Sequence, residues 1–163
     1  MEELIPDLER EHPAYGGTRA SRTVAGFSMG GFGALNLSAR TGAFDRCVAL
    51  SSALVRPPFK TAGFWIRRTL TRAFPMDLDA FAPWNPWVHL GGNADLVLGC
   101  GTNDKYHLDA VTRDFAERCR EKGHAPVAVL LTPGDHTWDY WAPAFESLAP
   151  WIAGGALPPT LEK

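Results

Sequence analysis

The stretch GFSMGG at residues 26–31 decides how the rest of the chain is interpreted. An apolar, strand-like run, RTVA at residues 22–25, precedes it, and a helix-like run, FGALNLSA at residues 32–39, follows it. A serine at the tip of so sharp a strand-to-helix turn is forced towards a positive φ angle. The glycines two residues to either side remove side chains that would collide where strand and helix pack. The pattern therefore predicts a tight turn that exposes the Ser28 hydroxyl at the N-terminus of a helix.

A G-x-S-x-G pattern by itself is weak evidence, because it also occurs as a glycine-rich turn with a serine cap. Here the strand before it and the helix after it supply the context that a nucleophile elbow requires. In such a turn the backbone N–H of Met29 points towards the attack site, and the helix dipole favours the negative charge of a tetrahedral intermediate. We therefore predict that Ser28 is a nucleophile and that Met29 is an oxyanion donor.

The composition is that of an ordinary soluble globular domain. Of 163 residues, 45% are hydrophobic and 21% are charged, and the formal net charge is −2. This length suits one domain with a sizeable core, so we expect residues 1–163 to form a single domain. The 16 Lys and Arg residues are outnumbered by 18 Asp and Glu residues and form no basic stripe. We therefore expect no nucleic acid partner.

The chain start and the cysteines bear on the compartment. The first residues, MEELIPD, lack the basic region and apolar core of a signal peptide, and no later run is long enough to span a bilayer. We expect a cytoplasmic protein with no membrane partner. Cys47, Cys100 and Cys119 are odd in number and lack metal-ligand spacing, so we predict buried reduced thiols, no disulfide and no metal.

The remaining pattern predicts a parallel α/β sheet. Apolar runs without alternation are typical of strands that are covered on both faces. Predicted strands cover residues 22–27, 44–51, 95–100 and 127–131, and predicted helices cover residues 2–12, the stretch from the elbow to Thr41-Gly42, 107–122 and 138–152. This order of strands and helices gives a sheet of about four parallel strands flanked by helices.

Residues 53–92 interrupt this regularity with five prolines and seven aromatic residues. A structureless loop of that length is improbable, and residues 64–74 have the pattern of a helix. We expect a cap-like insertion between the second and third strands. Its aromatic residues either cover the catalytic end of the sheet or form the insertion's own small core, and the two readings are compatible.

Three polar side chains follow directly after predicted strands: Ser28, Asp104 and His136. In an open parallel sheet, reactive groups gather beyond the carboxyl ends of the strands. The order serine, acid, histidine along the chain is that of α/β-hydrolases. We predict that His136 takes the proton of Ser28 and returns it to the leaving group, while Asp104 holds the imidazole tautomer.

Rival acids and histidines fit less well. Asp135 adjoins His136 in sequence and is interpreted as a turn former. Asp109 and Asp139 fall inside predicted helices, where acids near the N-terminus favour the dipole. The remaining histidines lack the position after a strand or the neighbouring glycine turn, and are interpreted as surface or polar core contacts: His12, His89, His107 and His124.

Three segments together are specific: GFSMGGFGA at residues 26–34, CGTND at 100–104 and GDHTWDYW at 134–141. Through them, residues 22–153 resemble the later part of the putative-esterase family. That family includes S-formylglutathione hydrolases, tributyrin, feruloyl and enterochelin esterases, and mycolyltransferases. The resemblance implies a truncated α/β-hydrolase fold, esters or thioesters as substrates, and no cofactor. It implies the same roles as the topology does: nucleophile Ser28, acid Asp104 and base His136.

The resemblance also bears on substrate contacts. Trp138 and Trp141 match the aromatic run after the family's histidine, and we expect both, with Trp87 of the insertion, to bind substrate. Family members carry a long segment before the elbow strand, which holds further strands and a loop with the second oxyanion N–H. We therefore expect Met29 to be the one evident donor here and turnover to be low unless another group substitutes.

The same departure leaves residues 22–27 as an edge strand with apolar residues on both faces and neither proline nor inward charge to protect it. We expect a homodimer in which two elbow strands pair antiparallel across a two-fold axis. The alternatives are that residues 1–20 cover the edge, or that the chain is a truncated, partly misfolded product. Two functions remain open: a serine esterase for small acyl or aromatic esters, or a catalytically weak remnant that acts as a binding or assembly module.

Overall fold

Four parallel strands form one sheet, in the order in which they occur along the chain. A computed structural model describes residues 3–15, 17–56, 68, 72, 82–90, 92–124 and 127–157. The strands are β1 (Thr23–Phe27), β2 (Arg46–Leu50), β3 (Asp95–Gly101) and β4 (Val127–Thr132). The predicted parallel sheet of about four strands is confirmed.

Helices cover both faces of the sheet. They are α1 (Leu4–Glu11), α2 (Met29–Thr41), α3 (Pro86–His89), α4 (Leu108–Glu121) and α5 (Trp138–Ile152), with short 3-10 turns at Pro13–Tyr15, Arg19–Ser21 and Ala82–Trp84. Helix α2 ends where Gly42 adopts a φ of 62°, and its N–H bonds back to the Ser38 carbonyl. The predicted glycine cap of this helix is confirmed.

The core has two layers because successive side chains of each strand point to opposite faces. On β2, Cys47 faces the layer that contains Phe115 of α4, whereas Val48 faces the layer that contains Leu148 of α5. Both layers are buried, which is why β2 and β3 read as continuous apolar runs. Cys47, Cys100 and Cys119 are buried free thiols, as predicted.

The predicted cap at residues 53–92 lies mostly outside the described residues, and so does the helix predicted at 64–74. The described part near its end is tied to the end of β2. Asn85 is fully buried, donates to the Val55 carbonyl oxygen at 2.7 Å and accepts from the Trp87 N–H at 3.2 Å. The Asn85 side chain is thus the N-cap of α3 and fixes the start of that helix.

Strand β1 is at the edge of the described sheet, hydrogen-bonded to β2 on one side. Its side chains are less buried than those of the other strands, and Ala25 is exposed. The strand is therefore in the edge position that the sequence predicts. No helix in the described ranges is both long and apolar enough to cross a membrane.

Candidate active site

Ser28 occupies the turn between β1 and α2 with φ 55° and ψ −120°. A non-glycine residue with positive φ is strained, and here three backbone bonds hold the turn. The Ser28 N–H donates to the Leu50 carbonyl, and the Ser28 carbonyl accepts from the N–H groups of Phe32 and Ala53. The predicted positive φ is confirmed.

The glycines around Ser28 differ in whether the structure has room for a side chain at their positions. A Cβ on Gly26 would lie 2.2 Å from the Gly30 carbonyl oxygen, and one on Gly31 would lie 2.3 Å from the Ser52 hydroxyl oxygen. A Cβ on Gly30 would meet nothing within 4 Å. The expectation that the glycines on both sides relieve a collision is thus wrong for Gly30, because the turn presents its carbonyl and not its side-chain position to β1.

Asp104 follows β3 in a short turn. Its N–H donates to the Gly101 carbonyl at 3.1 Å, and its Oδ1 accepts from the Tyr106 N–H at 2.9 Å. A Cβ on Gly101 would lie 2.3 Å from the carbonyl oxygen of Gly134, which belongs to the loop after β4. Glycine at 101 therefore allows the loops after β3 and β4 to touch.

His136 follows β4 in a loop that is bonded to the Asp104 turn. The Asn103 N–H donates to the Gly134 carbonyl at 2.9 Å. The Asp135 carboxylate accepts from two backbone N–H groups, that of Lys105 at 2.9 Å and that of His136 at 2.6 Å. The His136 bond, and then the Lys105 bond, lower the pKa of Asp135 below its ordinary value. Asp135 thus holds the loops together and does not pair with the imidazole.

The structure brings Ser28, His136 and Asp104 into one line. His136 Nδ1 is 2.8 Å from Asp104 Oδ2, and His136 Nε2 is 2.9 Å from Ser28 Oγ. An ionised carboxylate only accepts hydrogen bonds, so Nδ1 carries the proton and Nε2 has a free lone pair. Ser28 O–H therefore donates to a nitrogen that can take its proton.

Aromatic rings surround the imidazole. Tyr106 and Trp141 meet the His136 ring edge to face, at centroid distances of 4.8 and 4.9 Å. Trp141 also stacks on Phe27 at 5.5 Å, and Trp138 meets Phe27 at 4.9 Å. Of the two tryptophans after the histidine that are predicted to bind substrate, Trp141 contacts the His136 ring, and Trp138 packs on Trp141.

An apolar groove runs along β1 and α5 beside this cluster. It has a volume of about 370 Å³ and is lined by Ala25, Phe27, Trp138, Trp141, Ala142, Phe145 and Glu146. Phe27 immediately precedes Ser28, and Trp141 contacts His136. The groove is therefore lined by a sequence neighbour of Ser28 and by a ring that contacts His136, while Ser28 and His136 themselves are not part of its lining. Sequence reasoning missed Tyr106 and Phe27, although both adjoin predicted site segments.

The other predicted substrate residue, Trp87, lies elsewhere. Its ring packs edge to face on Phe115 at 5.3 Å, in the core layer opposite to that of Trp141. The structure therefore places Trp87 in the core and does not bring it to Ser28.

Met29 is the first residue of α2, and its side chain is exposed. Among the described residues, none offers the Met29 N–H a backbone acceptor, so this donor is free to bind an oxygen near Ser28.

No group of three His, Cys, Asp or Glu side chains in the described ranges is arranged to hold a metal ion.

This arrangement defines the class. A parallel sheet with a serine turn after β1, an acid after β3 and a histidine after β4 is the α/β-hydrolase fold. The chain belongs to the family described as Putative esterase, which it matches over residues 1–152. The resemblance seen in the three sequence segments is thereby confirmed. A search of curated proteins found no match.

Solved structures show the same fold. An S-formylglutathione hydrolase from Staphylococcus aureus is 22% identical with a TM-score of 0.64, covering 91% of this chain and 57% of that one. A ferulic acid esterase is 25% identical with a TM-score of 0.66, covering 94% and 58%. An S-formylglutathione hydrolase from Agrobacterium tumefaciens is 20% identical with a TM-score of 0.68, covering 93% and 55%. The chain thus spans less than two thirds of the length of these structures.

Proposed function

We propose that this chain is a serine esterase that hydrolyses small carboxylic esters through an acyl-enzyme on Ser28. The observation that carries the proposal is the line of hydrogen bonds from Ser28 Oγ through His136 to Asp104, at 2.9 and 2.8 Å. These separations are within the reach that general base catalysis needs. Membership of the esterase family supports the same activity.

The acylation half-reaction begins at Ser28. His136 Nε2 takes the hydroxyl proton while Oγ bonds to the ester carbonyl carbon, and the N–H of Met29 stabilises the resulting oxyanion. Asp104 stabilises the imidazolium that forms. When the tetrahedral intermediate collapses, the bond to the alcohol oxygen breaks, and His136 returns the proton to that oxygen.

Deacylation repeats the sequence with water. His136 takes a proton from water, the hydroxide adds to the acyl carbon, and the bond from that carbon to Ser28 Oγ breaks. The proton returns to Ser28, and the carboxylic acid leaves. No cofactor takes part in either half.

The groove indicates the kind of substrate. Its lining is aromatic and aliphatic apart from Glu146, so it suits a neutral acyl or aryl group and repels an anionic one. We propose that Trp138 and Trp141 contact that group. Structural neighbours include hydrolases named for S-formylglutathione and for ferulic acid, so a thioester and an aromatic ester are the substrates to test beside simple esters.

The test combines labelling and turnover. A fluorophosphonate probe suits it because a structural neighbour is named as a fluorophosphonate-binding serine hydrolase. We expect the probe to label the wild type and not Ser28→Ala, with hydrolysis of p-nitrophenyl acetate, methyl ferulate or S-formylglutathione lost in the same variant. A wild type that neither reacts with the probe nor hydrolyses any ester would end the esterase proposal and favour a binding module.

A further inference from the structure

His136 is not the only hydrogen-bond partner of the Asp104 carboxylate. Its Oδ1 accepts from the Tyr106 N–H at 2.9 Å, and its Oδ2 accepts from His136 Nδ1 at 2.8 Å. The Cys100 sulfur lies 3.5 Å from the same Oδ2, within the range of a thiol hydrogen bond. A buried carboxylate is stable only when its oxygens are hydrogen-bonded, so each of these donors matters.

The thiol of Cys100 is built to stay protonated. Burial raises its pKa, and the charge of Asp104 raises it further, to about 12. At neutral pH the sulfur therefore carries its hydrogen and donates it. The thiol has two possible acceptors, the Asp104 carboxylate and the Ser51 hydroxyl oxygen. The charged carboxylate is the better of the two, because hydrogen bonds to ionised groups are about twice as strong as neutral ones.

Ser51 stands behind Cys100. Its backbone has φ 42°, an unusual value for serine, and its side chain is fully buried. Its hydroxyl oxygen is 3.7 Å from the Cys100 sulfur. A thiol has one hydrogen, so the sulfur donates either to the Ser51 hydroxyl oxygen or to Asp104 Oδ2, and the charged carboxylate is the stronger acceptor. A strained, buried serine that supports one thiol is the kind of backbone outlier that marks a functional site.

We propose that Cys100 is a positioning residue for the esterase reaction proposed above. Its S–H group holds Asp104 Oδ2 in the place where that oxygen accepts a hydrogen bond from the His136 Nδ1–H, and the Ser51 hydroxyl lies 3.7 Å from the sulfur. Two sets of hydrogen bonds thus meet at Asp104 Oδ2, one from Ser28 through His136 and one from Cys100.

The kinetic test uses three cysteine variants. Cys100→Ala removes the donor and should lower kcat about tenfold with little change in KM, because the substrate contacts remain. Cys100→Ser keeps a donor at the same position and should retain activity within about threefold of wild type. Cys119→Ala is the matched control, since Cys119 is an equally buried thiol on α4. It should lose comparable stability and leave kcat unchanged.

Two results would overturn the proposal. If Cys100→Ala is as active as Cys119→Ala, the thiol does not position Asp104. If Cys100→Ser is as impaired as Cys100→Ala, the loss comes from packing and not from the hydrogen bond. Circular dichroism and thermal unfolding of each variant establish that the compared proteins are folded.

An infrared measurement tests the contact without any turnover. A thiol that donates to a carboxylate has a lowered S–H stretching frequency. Asp104→Asn should therefore shift one S–H band of the wild type, and that band should be the one absent from Cys100→Ala. If no band responds to Asp104→Asn, the positioning proposal fails. If the band shifts but the protein hydrolyses no ester, the contact stands and the esterase proposal alone fails.

Discussion

The surroundings of Ser28 divide into two regions that are held very differently. The first region, called the relay region here, consists of the hydrogen-bonded side chains of Asp104 and His136. Their exposed fractions are 0% and 9%. In the groove region, Trp138 as a whole residue is 63% exposed. The proposed proton transfer needs atoms fixed at hydrogen-bond distance, whereas the proposed substrate surface has to stay accessible. The protein therefore concentrates its loop hydrogen bonds on the relay and leaves aromatic surface at the groove.

The largest effect should come from the relay. Asp104→Asn keeps the shape of the side chain but presents an amide that favours the wrong imidazole tautomer, and we expect kcat/KM to fall about 10⁴-fold. Steady-state ester hydrolysis measures this. The control is Asp109→Asn, the same change in the first turn of α4, which should stay within about twofold of wild type. Equal effects in the two variants would contradict the assignment of Asp104.

The edge of the groove region should govern assembly. We expect a homodimer through paired β1 strands, because β1 is the edge strand of the sheet that the described residues form and Ala25 is exposed on it. Ala25→Lys places a charge there and should weaken the dimer about a hundredfold, while Ala25→Ser should leave it intact. Light scattering at micromolar concentration gives the mass of each. A wild-type monomer would exclude this mode of assembly.

A smaller effect should come from the groove wall. Trp138→Ala should raise KM about tenfold for aromatic or long-chain esters, as expected for the loss of a large apolar contact, and change little for acetate esters. Trp84→Ala is the control because Trp84 is also exposed but stacks on Arg40 away from the groove. A uniform loss on every ester would instead indicate that Trp138 supports the relay through Trp141.

The smallest effect concerns the tie between the two loops. The pKa of Asp135 is lowered in the folded protein, so its contribution to stability is present above about pH 4 and is lost as pH falls through the folded pKa. Asp135→Asn should lower Tm by about 2 °C at pH 7 and by less at pH 3. Thermal unfolding from pH 7 to pH 3 measures the difference. If the difference in Tm between Asp135→Asn and wild type does not narrow as the pH falls, the charge of Asp135 does not stabilise the fold.

Much of this architecture could be predicted from sequence because it depends on local patterns. The apolar runs of the four strands and the glycine after α2 mark element boundaries that hold to within one or two residues. The positions of Ser28, Asp104 and His136 after the first, third and fourth strands were sufficient to predict a common edge, since parallel strands end on the same side.

Other features could not be predicted locally. Trp87 packs against the core through Phe115 of α4, a contact between segments that are distant in sequence. The sequence pattern wrongly predicted that Gly30 relieves a collision, because only the packed turn shows which atom of Gly30 faces β1. Cys100 reads as one of three ordinary buried thiols until its distance to Asp104 is known.

By itself, the sequence determined the family, the parallel sheet and the three polar side chains at its carboxyl edge, because residue spacing and strand order carry that information. Only the tertiary structure decided which groups surround them: the thiol behind Asp104, the rings around His136 and the groove beside Phe27. The physical reason is that these contacts join side chains from different elements. Their distances depend on strand register and helix packing, which the periodicity of one segment does not encode.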